Sequence, residues 1–536
     1  MIPCFHQVKA SIAMVLSDRL PYDLAAFQEC LAAASAQDHA PAEVIVVDDR
    51  GPWARPDFLP RAIARPEIIR HLPGHYANRA AMYNAALKAA TGEFLLAVFN
   101  DRAQVLLRRS ALRTMVMAAT RGEAAGMVYA DYDLIDADGT PTEIHLLDWH
   151  EGRLRDTTDF GWAMLYSTAA LRELGGFNEK YAAADIYDLR LRITEKHRIV
   201  HIANRFAGSL YSVAASAKAH NVFDYLLAGK STQLEMEEAL TEHLKRTEAY
   251  LAPGANTRAV EYDADDQRRF ADCIASVVIP VNHRPEFIGR AIQSVQRQTV
   301  GNVEVIVVVN GGNQDPTAEA VRRYIKGGEC YDPDAPPVKL LVVDVNNIGL
   351  SLNAGIAAAR GQYYVQLDSD DRLKPHAVEK LLEVFASDPT VGMVIGSYEV
   401  WSLDEQTGEI VRNEDIPVVR HDEWTADNGR NNLLRINGAG APRAAHIKVV
   451  RELGWFGVND EPSCRNYGED YDLVLRISEH YTIGRVWEPI YEVIRHSGGT
   501  DHSIDQETIE RNDEAKDHLR LQALRRRRMI NRGAES

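Results

Sequence analysis

The chain is poor in cysteine. Its five, Cys4, Cys30, Cys273, Cys330 and Cys464, are scattered over 536 residues with no Cys-x-x-Cys pair. That excludes a disulfide framework and a thiolate zinc site and fits reduced thiols in a cytoplasm. Long apolar runs are missing as well, and none approaches the ~18 consecutive residues that span a bilayer. Met1 to Lys9 lacks the basic and then apolar blocks of a secretory signal. Basic charge is in the minority: 60 Lys and Arg against 77 Asp and Glu give a net charge of −17. Most of such a surface repels a phosphate-rich polymer, so nucleic acid is excluded as a partner. One stretch goes against the trend, Leu521 to Arg532, with Arg525, Arg526, Arg527 and Arg528 beside Leu521, Leu524, Met529 and Ile530. It reads either as a solvated or frayed helix end or as a peripheral contact with the inner face of a membrane.

What the chain does have is an internal repeat. Ala10–Arg19 (ASIAMVLSDR) reappears as Ala275–Arg284 (ASVVIPVNHR), and Glu43–Val47 as Glu304–Val308. Asn84, an Ala-rich segment and Gly92 match Asn353, an Ala-rich segment and Gly361. Gly126–Val128 matches Gly392–Val394, and Tyr187–Leu189 with Leu191–Ile193 matches Tyr471–Leu473 with Leu475–Ile477. The matches keep their order and nearly constant separations.

Within each copy strands and helices alternate. Ser276 to Val281 and Val303 to Val309 are continuous β-branched runs, as in strands buried on both faces. Phe287, Ala291, Ile292 and Val295 fall at helical spacing, Lys339 to Val343 and Tyr363 to Leu367 read as strands, and a helix is expected over Asn353 to Ala359. A further helix is expected over Arg443 to Gly454. This alternation predicts an α/β fold with a mostly parallel, doubly wound sheet and chemistry beyond the carboxyl ends of its strands. The expected divisions are 1–216, a helical connector over 217–272 broken at Pro253-Gly254, a second sheet domain over 273–503, and a basic helical tail over 504–536.

The strand Tyr363 to Leu367 runs into Asp368-Ser-Asp-Asp371. Carboxylates crowded at a strand end call for a cation, and oxygen ligands favour Mg²⁺ or Mn²⁺. The motif alone reads equally as a turn with an Asp cap before the helix at Pro375. Taken in order, however, IPVNHR, EVIVVVNGG, NNIGLSLNAGIAAARGQYYVQLDSDDR and GEDYDLVLRI resemble glycosyltransferase family 2, over about Ile274 to Ser503. The resemblance implies two tandem GT-A (Rossmann-like) domains, the N-terminal one degenerate, and transfer of a sugar with inversion from a nucleotide-sugar donor. Asp370 then holds a metal, with Asp368 and His496 completing the set. Asp368 also faces the ribose or diphosphate with Asp371 in support, and Asn310, Asn347, Asn353 and Arg360 belong to the donor side. Asp470 is the general base, and Glu469 places the acceptor. The family's acidic loop after the second strand stands here as Asn310-Gly-Gly-Asn313. A UDP-sugar is the first donor implied, and the acceptor is a glycan, a lipid-linked sugar or a protein in surface polysaccharide or glycoconjugate synthesis.

Elementary chemistry agrees with those roles. Departure of a nucleoside diphosphate is helped by a fixed cation, and an acceptor hydroxyl needs a carboxylate to take its proton. Gly438-Ala-Gly-Ala441 reads as a diphosphate-facing loop or a tight turn, and Trp401, Trp424 and Trp455 as acceptor-groove or core residues. In the first copy, alignment puts Phe99, Asn100, Asp101 and Arg102 at Asp368 to Asp371. It puts Asp185 at Glu469, Ile186 at Asp470 and Ser216 at His496. Metal, base and histidine are impaired together, which predicts a supporting or self-associating domain without transfer. The alternatives are a second, metal-free transferase using Asp48, Asp49, Asp101 and Asp185, and a glycan- or nucleotide-binding protein without turnover. A nucleotidyltransferase is disfavoured because Val281-Asn-His-Arg284 replaces its Gly-rich, Lys-containing loop.

Overall fold

A computed structural model describes residues 7–59, 63–204, 208–214, 229–404, 406–420, 428–436, 440–460, 467–496 and 506–533. The chain divides into two compact units, Met1–Thr247 and Glu248–Ser536. The division falls inside the stretch read as a connector. Helix Lys230–Arg246 lies in the first unit and helix Ala264–Ala271 in the second.

In the first unit the strands β1 (Ala10–Leu16), β2 (Glu43–Asp48), β3 (Ile69–Pro73), β4 (Phe94–Val98), β5 (Met127–Ala130), β6 (Ala163–Ser167) and β7 (Ile199–Ile202) form one seven-stranded sheet. Its order is β7-β5-β6-β4-β1-β2-β3. All residues of β1, β2 and β4 are buried, the polar Ser11, Glu43 and Asp48 among otherwise apolar runs. The helices used below are α1 (Leu24–Ser35), α2 (Arg79–Ala89), α3 (Asp185–Thr194) and α4 (Lys230–Arg246).

The second unit repeats this plan. Its strands β8 (Ala275–Val281), β9 (Val303–Val309), β10 (Val338–Val342), β11 (Tyr363–Gln366), β12 (Val391–Leu403), β13 (Arg443–His446) and β14 (Thr482–Arg495) run in the order β14-β12-β13-β11-β8-β9-β10. Each strand number exceeds its counterpart by seven, and the directions agree: in both sheets one strand, β6 or β13, runs antiparallel to both of its neighbours. The helices are α5 (Ile288–Gln296), α6 (Ile348–Ala358), α7 (Glu469–His480) and α8 (Gln506–Asn531).

Small details recur with the topology. A Cβ on Gly92 would lie 2.5 Å from the Ser11 backbone nitrogen, and one on Gly361 2.8 Å from the Ala275 carbonyl carbon, so only glycine lets the chain enter β4 or β11 there. Asn78 and Asn347 cap α2 and α6 through their side-chain oxygens. Asn84 bonds both backbone groups of Phe177 (2.9 and 2.8 Å), and Asn353 bonds both of Phe456 (2.9 and 3.0 Å).

Two expectations change. The helix anticipated over Arg443 to Gly454 starts four residues late, at Ile447, because Arg443–His446 is drawn into the sheet between β11 and β12. The basic tail is an integral helix rather than a frayed end. α8 packs on α7, and Arg520 and Arg527 are fully buried, donating to the carbonyls of Leu434, Ile436 and Arg430. Near its end Asn531 Nδ2 donates to the carbonyls of Glu248 (2.7 Å) and Tyr250 (2.9 Å), so the last helix ties down the first residues of its own unit. Among the described residues no helix is long and apolar enough to cross a membrane.

Candidate active site

The carboxyl ends of the second sheet gather most of the predicted residues. Arg284 follows β8, Asn310 follows β9, Asp368 to Asp371 follow β11, and His496 follows β14. Because β13 runs the other way, its first residue, Arg443, pairs in register with Gln366 at the same end.

Asp370 meets His496, with Nε2 3.0 Å from Oδ2, and pairs with the Arg284 guanidinium. The His496 ring, 5% exposed, stacks on Phe287 with centroids 4.4 Å apart. Asp371 lies beneath them, its Oδ1 accepting from the Ile494 N–H at 2.8 Å. Burial raises its pKa well above the carboxyl range, and the charges of Asp368 and Asp370 push it further. The cluster is therefore short of positive charge. Asp370 and His496 offer one oxygen and one nitrogen to a divalent cation whose remaining positions phosphate and water would fill.

Asp368 does not complete a three-ligand set. Among the described residues no three of Asp368, Asp370, Asp371 and His496 bring ligand atoms within 4.8 Å of one another. Its carboxylate instead accepts from Gln366 at 3.3 Å, and its charge acts on Arg443.

Arg443 joins the two halves of the site. It pairs with Asp470, and its pKa is raised, Asp470 and then Asp368 outweighing the burial that opposes its charge. Burial raises the pKa of Tyr364; Arg443 opposes that rise, and Asp368, Asp470 and Glu469 add to it. Asp470 Oδ1 also accepts from the Tyr471 N–H at 2.7 Å. Burial opposes its charge, but Arg443 and Lys516 prevail and hold its pKa below the ordinary value. Its neighbour Glu469 goes the other way. Burial and the Asp470 charge raise it to about 7. Adjacent carboxyls driven apart in this manner are a common arrangement for proton transfer.

A cavity of about 700 Å³ opens beside Glu469, lined in part by Trp455, Tyr467, Asp472, Arg476 and Gln522. Trp455 holds φ +68°, a left-handed conformation unusual for a bulky residue. Through the Phe177 and Phe456 correspondence its counterpart is Gly176, with φ +78°. Trp401 lies under Arg372, away from this cavity, and Trp424 falls outside the described residues, as do Gly438 and Ala439 of the small-residue loop.

The remaining donor-side expectations fare unequally. Asn310 is buried at the correct end and bonds Asn282 and Ser351. The amides of Asn347 and Asn353 are engaged with the backbone of Val458 and Phe456, fastening α6 to the loop after β13. Arg360 is misplaced. It precedes β11, the full length of that strand away from Asp368, and pairs with Glu304 with its side chain 61% exposed. Sequence reasoning passed over Arg443 because the residues around it read as helix, and over Lys516 because nothing local ties it to Asp470. Arg284 stood inside a quoted motif, and its position just past a buried strand was the available signal.

In the first unit the corresponding cleft is filled from within. Arg79, at the start of α2, donates through Nε to Asp185 at 2.9 Å and through Nη1 to Asp101 at 3.2 Å. Asp185 is fully buried, and Phe99 packs on Tyr83 and Phe177. Asp48 is held by Arg50 (2.9 Å) and His71 (2.8 Å), and Asp49 accepts from the Tyr76 N–H. Ser216 lies outside the described residues.

Residues 276–442 match the family model for Glycosyl transferase family 2. Hyaluronan synthase of Pasteurella multocida is 33% identical over 228 residues, 42% of this chain and 21% of that protein. The O-antigen biosynthesis protein RfbC of Myxococcus xanthus is 26% identical over 376 residues, 68% of this chain and 28% of that protein. Among solved structures, S. aureus TarS 1-349 in complex with UDP-GlcNAc aligns with TM-score 0.34 and 14% identity, over 48% of this chain and 72% of that one. The chain spans 40% or less of the length of the first curated relatives it matches. Within the C-terminal unit, residues 276–442 are the part of the chain that matches this family.

Proposed function

We propose that the C-terminal unit transfers a sugar, with inversion, from a nucleotide-sugar donor to a hydroxyl acceptor during surface polysaccharide or glycoconjugate synthesis. The observation that supports this reading is Arg443, which pairs with Asp470 and lies in register with Gln366, two residues before Asp368, at the same end of the sheet. In this reading a diphosphate-facing cluster and a proton-accepting pair act on the same bound donor. The acceptor O–H gives its proton to the Glu469-Asp470 pair, with Asp470 as the base, while its oxygen attacks the anomeric carbon. The bond from that carbon to the diphosphate breaks, and the nucleoside diphosphate leaves with the electron pair. Direct displacement inverts the anomeric centre and needs no enzyme nucleophile. When bound, a Mg²⁺ or Mn²⁺ ion at Asp370 and His496 stabilises charge on the departing diphosphate. Arg284 adds positive charge on the same side. The cavity next to Glu469 supports the acceptor side, with Trp455 as a face for a sugar ring.

The first unit is read as a supporting domain without transfer, because Arg79 is paired with both Asp101 and Asp185 and Asp48 is held by Arg50 and His71.

A panel of nucleotide sugars, UDP-sugars first, tests this by following nucleoside diphosphate release with Mn²⁺ and with EDTA. The expected result is release from at least one donor, abolished by EDTA and by Asp370→Asn, and lowered about a thousandfold by Asp470→Asn. Donors that bind without being turned over would place the protein among non-catalytic binders, and release that survives both EDTA and Asp370→Asn would remove the metal from the reaction.

A further inference from the structure

The family match ends at residue 442, yet the turn carrying Glu469 and Asp470 is closed by a helix that begins more than thirty residues after it. Gly468, the residue before Glu469, has φ +90°, and a Cβ there would lie 3.2 Å from Leu519 and 3.8 Å from Lys516 Cγ. Both belong to α8. The left-handed backbone at Gly468 favours glycine, and a side chain there would meet α8 at Leu519. Lys516 follows this contact inward. Its ammonium lies 4.7 Å from the ring centre of Tyr467 and 5.9 Å from that of Tyr471, the residues that flank the turn on either side. An ammonium is costly to bury unless negative charge faces it, and the carboxylates between Tyr467 and Tyr471 are those of Glu469 and Asp470.

From this packing we infer that Lys516 is a positioning residue of the active site: from the last helix it completes, with Arg443, the positive surroundings of the Asp470 carboxylate. The inference rests on the proposed transfer reaction and extends it to a residue outside the family-matched span. The groups facing Asp470 are Arg443 from β13, Tyr364 from β11, Asp368 beyond β11, Glu469 on its own helix, and Lys516 from α8. Tyr467 and Arg520 stand around the lysine. Of these, Arg443 and Lys516 are the cations acting on Asp470. Burial opposes the Lys516 ammonium, but Tyr467 and Asp470 outweigh it, so the lysine stays protonated throughout the working range.

The sign of the effect follows. Removing the lysine charge makes the Asp470 carboxylate easier to protonate, so the acid limb of kcat/KM against pH moves to higher pH. The experiment uses the full chain and the donor identified by the panel, with water as acceptor, so that hydrolysis reports base function without a known glycan acceptor. Lys516→Met keeps volume and removes charge, Lys516→Gln is a second neutral variant, and Lys516→Arg restores charge. Circular dichroism and thermal unfolding confirm the fold of each. Expected is an upward shift of the acid limb by about one pH unit in both neutral variants, equivalent to a roughly tenfold loss below the limb and little loss above it. Lys516→Arg returns the limb toward wild type. A pH-independent loss in Met, Gln and Arg variants alike, or an unmoved limb in a folded Met or Gln variant, overturns the inference. Wild-type protein that releases no nucleoside diphosphate from any donor overturns the parent reading instead, so the two failures are told apart.

Discussion

Replacing Asn353 with alanine separates a fastener from a ligand. In the structure its amide closes a two-bond clasp on Phe456, donating to the carbonyl at 2.9 Å and accepting from the N–H at 3.0 Å. Phe456 is buried, so neither backbone group gains water in exchange when the amide is deleted. Each lost hydrogen bond is worth about 1 kcal/mol net, and each orphaned buried group adds to that, for a total of about 2–4 kcal/mol. For a unit spanning Glu248–Ser536 the melting temperature should fall by roughly 3–7 °C. Asn84→Ala is the matched replicate, because the same clasp on Phe177 should cost the first unit a similar amount. Urea titrations with a fluorescence readout, with the two transitions assigned by comparing the two variants, measure both. An Asn353→Ala protein that melts within about 1 °C of wild type but binds its donor more weakly would falsify the reasoning and return Asn353 to the donor side.

Stability of the second unit should depend on pH through His446, which burial depresses from 6.5 to about 4. The unfolded chain binds a proton there that the folded unit refuses, so this stability is complete above pH ~6.5 and falls away toward pH ~4, by about 3 kcal/mol in all. Urea midpoints between pH 7 and pH 4.5 check it, and His446→Gln should flatten that slope. In the first unit, Asp185→Asn leaves the buried Arg79 short of charge and should cost about 3 kcal/mol, whereas Asp101→Asn should cost less than 1 kcal/mol. Neither should change sugar transfer, and a loss of transfer in folded Asp101→Asn would revive a catalytic first unit. Trp455→Gly should leave the melting temperature nearly unchanged, since glycine relieves the left-handed backbone as Gly176 does in the first unit, while raising acceptor KM several-fold at unaltered donor hydrolysis. Unchanged acceptor KM would remove the tryptophan from the acceptor side.

Much of the sheet was legible because its central parallel strands are buried on both faces and are rich in β-branched residues. The strand expected at Val303 to Val309 has those bounds, and that at Ser276 to Val281 begins one residue earlier. The antiparallel strand β13 was not legible. Arg443 and His446 make a polar, short segment whose strand character comes only from its two neighbours, β11 and β12. That misreading hid Arg443, the residue on which the two carboxylate groups meet. Arg360 was drawn toward the donor by its place in a continuous motif, although a strand separates the two ends of that motif in space. The tail's arginines looked like surface charge because sequence shows the cations but not the carbonyls of Leu434, Ile436 and Arg430 that receive them.

The bond from Asn531 back to Glu248 and Tyr250 bears on how the protein is made. On the ribosome the first unit has its whole sheet available early. The second unit, by contrast, has no closing helix until translation reaches its far end. Until then the α7 surface that Lys516 and Arg520 will cover, and the open carbonyls of Leu434 and Ile436, face solvent or a chaperone. A nascent chain stalled before α8 would lack Leu519 and Lys516 beside Gly468, so the turn that opens α7 gains its packing only in the last stretch of the unit's synthesis.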